Sequence, residues 1–118
     1  MAGVRLLRNT EPGPSSDVDI NVSSRADGTT LVKVAGELDL SSVPQLRACL
    51  SDLVNRGEVQ LEVDLSAVTF CDSTALGVFV GAHRRTAAGN GHVRFANPPS
   101  ALRNLLEVSG LDQILDVT

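Results

Sequence analysis

The spacing of apolar residues switches back and forth along this chain between two periods, and that switching constrains the fold more than any other feature. Val18-Asp19-Ile20-Asn21-Val22 alternates apolar with polar, the period-two pattern of a strand with one buried face. Asp27-Gly28 is a hairpin signal, and Thr30–Gly36 (TLVKVAG) reads as a second strand, antiparallel to the first. Over Ser41–Arg56 the period becomes helical, with Leu46, Leu50, Leu53 and Val54 on one stripe. Pro44 falls in the first turn, where its missing N–H is harmless. Ser42, with Gln45 three residues on, reads as the cap, and Gly57 stands where a left-handed stop is wanted. Val59–Leu65 (VQLEVDL) alternates again. Ser73–Ala88 reads as a second helix closed by the turn Gly89-Asn90-Gly91, and His92–Ala96 as a short strand. Pro98-Pro99 opens a third helix with Leu102, Leu105 and Leu106 on one face, and Ile114–Val117 reads as a last strand.

The order β-β-α-β-α-β-α-β belongs to the α/β class. Strands joined through helices pair in parallel by right-handed crossovers, and the opening hairpin adds an antiparallel part. The prediction is a small mixed β-sheet with helices packed mainly on one face. A chain of 118 residues makes one domain. The breakers Pro12, Gly13, Pro14, Ser15 and Ser16 set residues 1–16 apart as a flexible N-terminal lead-in, with the domain over 17–118.

Several function classes are excluded by composition. The net charge is −4, and the longest basic run before the third helix is the pair Arg84-Arg85; phosphate backbones call for a clustered positive face. There is no Trp or Tyr and only three Phe, so platforms for stacking bases are missing. No direct nucleic-acid partner is expected. No membrane association is expected either, since no apolar run approaches the ~20 residues of a span. Cys49 and Cys71 make no disulfide framework, and with no signal-peptide core they point to reduced thiols in a cytoplasmic protein. His83 and His92 have no Cys, Asp or Glu at metal-ligand spacing. The GxSxG, Walker and GxGxxG patterns are absent. The expectation is therefore not an enzyme, with no catalytic residues, cofactor or metal.

What remains is the junction TFCDSTALGVFVG, Thr69–Gly81. Asp72, Ser73 and Thr74 stand between an apolar strand and an apolar helix. Helix capping accounts for at least one of the three. The helix that follows is harder to explain, because Ala75, Leu76, Val78, Phe79, Val80 and Ala82 leave almost no polar position in its first two turns. Gly77 and Gly81 each cost about 1 kcal/mol of helix propensity relative to Ala. Such a surface suits docking, and Val78, Ala82 and Arg85 are read as its outward contact residues. Ser73 then sits on the rim of a docking patch. A phosphate there adds about −1.5 to −2 charges, enough to expel a partner without unfolding the chain. Cys71 lies beside Asp72, whose charge raises a thiol pKa, which disfavours a redox switch.

Three stretches carry a family resemblance: GELDLSSVPQLRACL, VDLSAVTFCDSTALGVFVGAHRR and ALRNLLEVSGLDQILDV, in that order between about Val18 and Val117. Together they resemble the anti-sigma factor antagonists (anti-anti-sigma factors), the stand-alone STAS-domain proteins of bacteria. The resemblance implies the STAS fold, and a phosphoprotein that regulates transcription by partner switching. Such a protein binds an anti-sigma factor that is a serine/threonine kinase with ATP bound, and so frees the sigma factor. The kinase phosphorylates the serine after the Asp, which is Ser73 here, and a serine phosphatase resets it. The resemblance makes Asp39, Asp72, Ser73 and Thr74 partner-binding residues. The family usually has Gly where this chain has Ala75, and a methyl there narrows the approach of the kinase. The alternative is a STAS scaffold subunit of a stressosome-like or transport complex, with Ser73 only a cap. A small hydrolase or phosphotransferase built on Asp72 has no supporting groups.

Overall fold

The computed structural model describes residues 18–118, so the lead-in expected over residues 1–16 lies outside the described residues. The elements are β1 (Val18–Ser24), β2 (Thr30–Leu38), α1 (Val43–Asn55), β3 (Gln60–Cys71), α2 (Thr74–Ala88), β4 (His92–Ala96), α3 (Ser100–Val108), a single 3-10 turn (Leu111–Gln113) and β5 (Asp116–Val117). The five strands form one sheet in the order β1-β2-β3-β4-β5. β1 and β2 are antiparallel, and every later pair is parallel. Each parallel step moves one strand further in the same direction. Right-handed crossovers made that way put all three helices on one face, as expected.

Alternation along the strands sends Val32, Val34, Leu61, Val63, Val93 and Phe95 into the core. The helices close over them. Leu46, Leu50 and Leu53 come from α1 and Leu102 and Leu106 from α3; Phe79 of α2 packs on Phe95 with ring centroids 4.8 Å apart. The opposite face of the sheet is polar. Glu62 lies there between Arg25, which donates to both its carboxylate oxygens (2.8 and 3.0 Å), and Arg94. These bonds hold the Glu62 carboxyl below its ordinary range, the Arg25 bond first.

Two strands run further than the alternation indicated. β3 continues past Leu65 to Cys71, and β2 past Gly36 to Leu38. The pairing between them shifts register twice, between Lys33 and Ala35 and between Gly36 and Glu37. Each shift slips the inside-outside phase, so Ser66 and Ala67 are both exposed in a continuing strand. The last strand is shorter than expected, because the N–H groups of Ile114 and Leu115 are turned back onto the Leu111 carbonyl by the 3-10 turn at Leu111–Gln113. Gly91 is confined by close approach: a Cβ there would lie 2.1 Å from the Val59 carbonyl oxygen.

Candidate functional site: two capped helix entrances on one rim

Leu38 and Cys71 are register partners at the ends of the adjacent parallel strands β2 and β3. Asp39 and Asp72 come next, each just past its strand's end. The Asp72 N–H donates to the Leu38 carbonyl at 3.0 Å, so the two loops lie side by side at the carboxyl edge of the sheet. Open α/β sheets generally place their binding sites at that edge.

At the first loop the cap is Asp39 rather than Ser42. The Asp39 carboxylate accepts from the N–H groups of Ser41 (3.0 Å) and Ser42 (3.1 Å) and from the Ser41 hydroxyl (2.8 Å). Its carbonyl accepts from Val43 N–H at 2.8 Å, which extends the helical turn back to Asp39. Ser42 makes no capping bond of its own. Its buried hydroxyl accepts from the Asp39 N–H at 3.0 Å and donates to the Glu37 carbonyl at 2.6 Å. This is a reciprocal capping box one turn earlier than the sequence signal placed it. The bonds lower the Asp39 carboxyl pKa, the Ser41 hydroxyl contributing most.

The second loop repeats the first with a different outcome. Asp72 accepts from the Thr74 N–H at 2.9 Å and from the Thr74 hydroxyl. Its carbonyl accepts from Ala75 N–H at 3.2 Å. Asp72 is thus the cap, and Thr74 supports it. Ser73 is exposed, already helical in backbone (φ −66°, ψ −15°), and its hydroxyl makes no capping bond.

Helix α2 is turned by about one residue from the expected phase. Val78 is 5 % exposed and Ala82 3 %; both face the core, so their assignment to the outward side is corrected. The reason is that an apolar helix leaves its phase undetermined, and only packing against β3 and β4 decides it. The outward stripe is Ser73, Gly77 and Arg84, with Val80 and Gly81 half-buried beside it. Arg85 is exposed but turned toward α1, where it bonds the Ser51 hydroxyl. Ala75 is fully buried, so its methyl fills the core and does not narrow a partner's approach. Sequence reasoning missed Leu40 (76 % exposed) and Phe70 (52 % exposed). Leu40 was marked in the sequence only by standing next to Asp39, and Phe70 only by lying two residues before Asp72.

Beneath the rim, burial and the neighbouring Asp72 push the Cys71 thiol up to about 11, in line with the reading against a redox switch. A polar cavity of about 240 Å³ lies at the other end of the sheet, lined by residues such as Arg25, Glu62, Arg94, His92 and Asp116. Its polar groups mostly satisfy one another: His92 hydrogen-bonds Asp116 at 2.7 Å, and Glu62 pairs with the two arginines. We read it as an ion-pair network that ties the β1–β2 turn and β4 to β3. Among the described residues no group of three metal-ligating side chains exists, and no helix is long and apolar enough to cross a membrane.

A family profile described as "Mlab, STAS domain" matches residues 22–116. The chain belongs to the STAS-domain family. This STAS domain is 34 % identical over 102 residues to the anti-sigma-B factor antagonist of Bacillus subtilis, covering 86 % of this chain and 93 % of that protein. It is 33 % identical over 86 residues to the anti-sigma-B factor antagonist of Staphylococcus aureus, covering 73 % and 80 %. Among solved structures, an anti-sigma factor antagonist from Mycobacterium paratuberculosis superposes with a TM-score of 0.78 at 27 % identity, covering 89 % of this chain and 87 % of that one. The anti-sigma factor antagonist SpoIIAA in its unphosphorylated form superposes at 0.73 with 25 % identity, covering 85 % and 88 %. Its phosphorylated form, from Bacillus, superposes at 0.68 with 25 % identity, covering 85 % and 91 %.

Proposed function

We propose that this STAS domain is an anti-sigma factor antagonist whose rim binds an anti-sigma factor, and that a phosphate on Ser73 ends the binding. The observation that carries the reading is the state of the rim's four hydroxyls. Those of Ser41, Ser42 and Thr74 are each held by a bond to a carboxylate or carbonyl, while the exposed Ser73 hydroxyl makes no capping bond. That favours Ser73 over Thr74 as the phosphate acceptor. The relatives' names and the two forms of SpoIIAA support the same switch.

Docking covers the apolar positions Leu40, Phe70, Gly77 and Val80, with Asp39, Asp72, Ser73 and Thr74 at its centre. Helix N-termini accept anions, so the fold survives a phosphate at Ser73. A docked partner does not, because the added charge, beside Asp72, would have to be desolvated against an apolar surface. The partner is a serine/threonine kinase carrying its own ATP, and a serine phosphatase restores the binding form. The domain contributes an acceptor hydroxyl and no catalytic group, and it acts in the cytoplasm.

The test is a pull-down from source-cell lysate with wild type, Ser73→Ala and Ser73→Glu as baits. Prey and phosphosites are identified by mass spectrometry. Retention of an ATP-binding kinase by wild type and Ser73→Ala, with loss by Ser73→Glu, is the expected result. Equal retention by all three would instead make the domain a scaffold subunit, with the apolar helix as a permanent interface and Ser73 no switch.

A further inference from the structure

The two edges of the sheet are finished differently. β5 closes one side as a strand of two residues, too short to template another chain. β1 closes the other as a strand of seven, and among the described residues nothing pairs with its outer side. We propose that β1 is a self-recognition edge: two copies of this chain join β1 to β1, antiparallel and centred on Asn21, so that two five-stranded sheets become one.

Edge strands are normally blunted by a bulge, a proline, a lysine or an inward-pointing charge. β1 has none of these. Its register with β2 is unbroken from Val18↔Gly36 to Ser24↔Thr30, and its residues (VDINVSS) include no Pro, Lys or Arg. Its inward positions are Val18, Ile20 and Val22, on the same face as the buried Val32 and Val34 opposite them. Burial fades along these three: Val18 is 6 % exposed, Ile20 half-buried and Val22 46 % exposed. The helices thus leave an apolar flank along the outer edge, and a second β1 brings a matching one.

The pleat fixes the register. Side chains alternate with period two, so only residues of like parity can face each other without turning one apolar flank to the polar side. A centre on Asn21 pairs the whole strand, whereas a centre on Ile20 or Val22 leaves an end overhanging. It sets Ile20 against Val22 of the second copy, a β-branched pair made twice by symmetry. It also sets Asp19, the strand's single charge, against Ser23, so no like charges meet. The two-fold axis then stands perpendicular to the sheet. Both helix layers lie on one face, and the two rims point to opposite ends and stay open. On the antagonist reading, one dimer carries two anti-sigma factors. A seam one strand wide is at the small end of specific interfaces, so the dimer is weak and concentration-dependent.

Sedimentation velocity of the full chain, from micromolar to millimolar, reads the association, and nitrogen-15 shifts over the same range locate it. Expected is a monomer–dimer equilibrium with shifts centred on Val18–Ser24. Val22→Lys should abolish it with the circular dichroism unchanged, because Val22 is already half-exposed. Asn21 tests the register. Asn21→Asp and Asn21→Lys each set like charges face to face, so each alone should dimerise about fivefold more weakly, and an equal mixture of the two should regain the association. A monomer at every concentration overturns the proposal. So does an association that survives Val22→Lys, a mixture no tighter than either variant alone, or shifts centred on Leu40 and Phe70 or on the exposed Val108 and Ile114. Added anti-sigma factor should leave the seam intact and load two copies per dimer. Loss of the dimer on loading would refute the opposed, open rims. A dimer that forms as expected but binds no anti-sigma factor leaves the seam standing and removes the antagonist reading.

Discussion

Two helices in this chain are entered from neighbouring strand ends through near-copies of one loop, Asp39-Leu40-Ser41-Ser42 and Asp72-Ser73-Thr74-Ala75. In both, the Asp caps the helix through the N–H two residues on. In both, the third residue after the Asp is buried. The position right after the Asp is the one pushed outward. The first loop puts a leucine there and the second a serine. The same backbone therefore presents an apolar contact at one entrance and a modifiable hydroxyl at the other. Loop geometry sets which position is offered to a partner, and residue type decides what is offered.

The largest expected effect separates the offered hydroxyl from the structural ones. Ser73→Glu, or phosphate on Ser73, should weaken anti-sigma factor binding by about 2–5 kcal/mol, the range for leaving a charge buried and unpaired at an interface. Calorimetric titration measures it, and the unfolding midpoint should stay near wild type. Ser42→Ala should do the reverse. It removes the buried hydroxyl that serves the Asp39 N–H and the Glu37 carbonyl, at about 1–3 kcal/mol of stability, read by urea unfolding. If Ser42→Ala were neutral in stability, the capping box would not hold the first entrance and the comparison would fail.

Leu40→Ala probes the other offered position. Its side chain is exposed, so the free domain should change by no more than about 0.5 kcal/mol. Binding should weaken about tenfold, the transfer value at the low end for a leucine buried on docking. A wild-type affinity would remove Leu40 from the interface and leave α2 as the whole contact.

How much of this was legible in the sequence differs between the two entrances. The element order, the mixed sheet and the Asp72-Ser73-Thr74 junction followed from alternation, helical spacing and cap chemistry, because those patterns are local. The caps themselves were half-read. Ser42 matched a capping signal, but the strand it follows runs two residues past Gly36 to Leu38, which moves the helical turn back to Asp39. The phase of α2 was not legible. Ala75, Val78, Phe79 and Ala82 face the core while Leu76 and Val80 are half-buried, and a helix apolar on nearly every side carries too weak a moment to mark its buried face. Phe70 could be recognised as a surface residue only once the two register shifts were known.

Gly77 sharpens the contrast between what folds α2 and what it offers. A Cβ built there meets nothing within 4 Å, so the fold itself does not require glycine. Gly77→Ala should stabilise the free domain by about 1 kcal/mol through helix propensity, measured by urea unfolding. Gly77→Leu should block the anti-sigma factor while leaving the domain folded. Unimpaired binding by Gly77→Leu would place the contact away from the outer stripe of α2.

The smallest expected effect lies in the acid limb of stability. Asp39 has its carboxyl pKa lowered from 3.8 on folding. The unfolded state therefore takes up its proton first as the pH falls. The Asp39 contribution is complete above the unfolded value and is lost as the pH falls through the lower folded one. Asp39→Ala removes the carboxylate outright, so its deficit against wild type should be constant from neutral pH down to about pH 5 and then shrink toward about pH 2. Urea midpoints across that range, for the two proteins side by side, test the assignment. A deficit that does not shrink would mean that Asp39 holds the first entrance without its charge, and that the two loops share a backbone shape rather than an electrostatic cap.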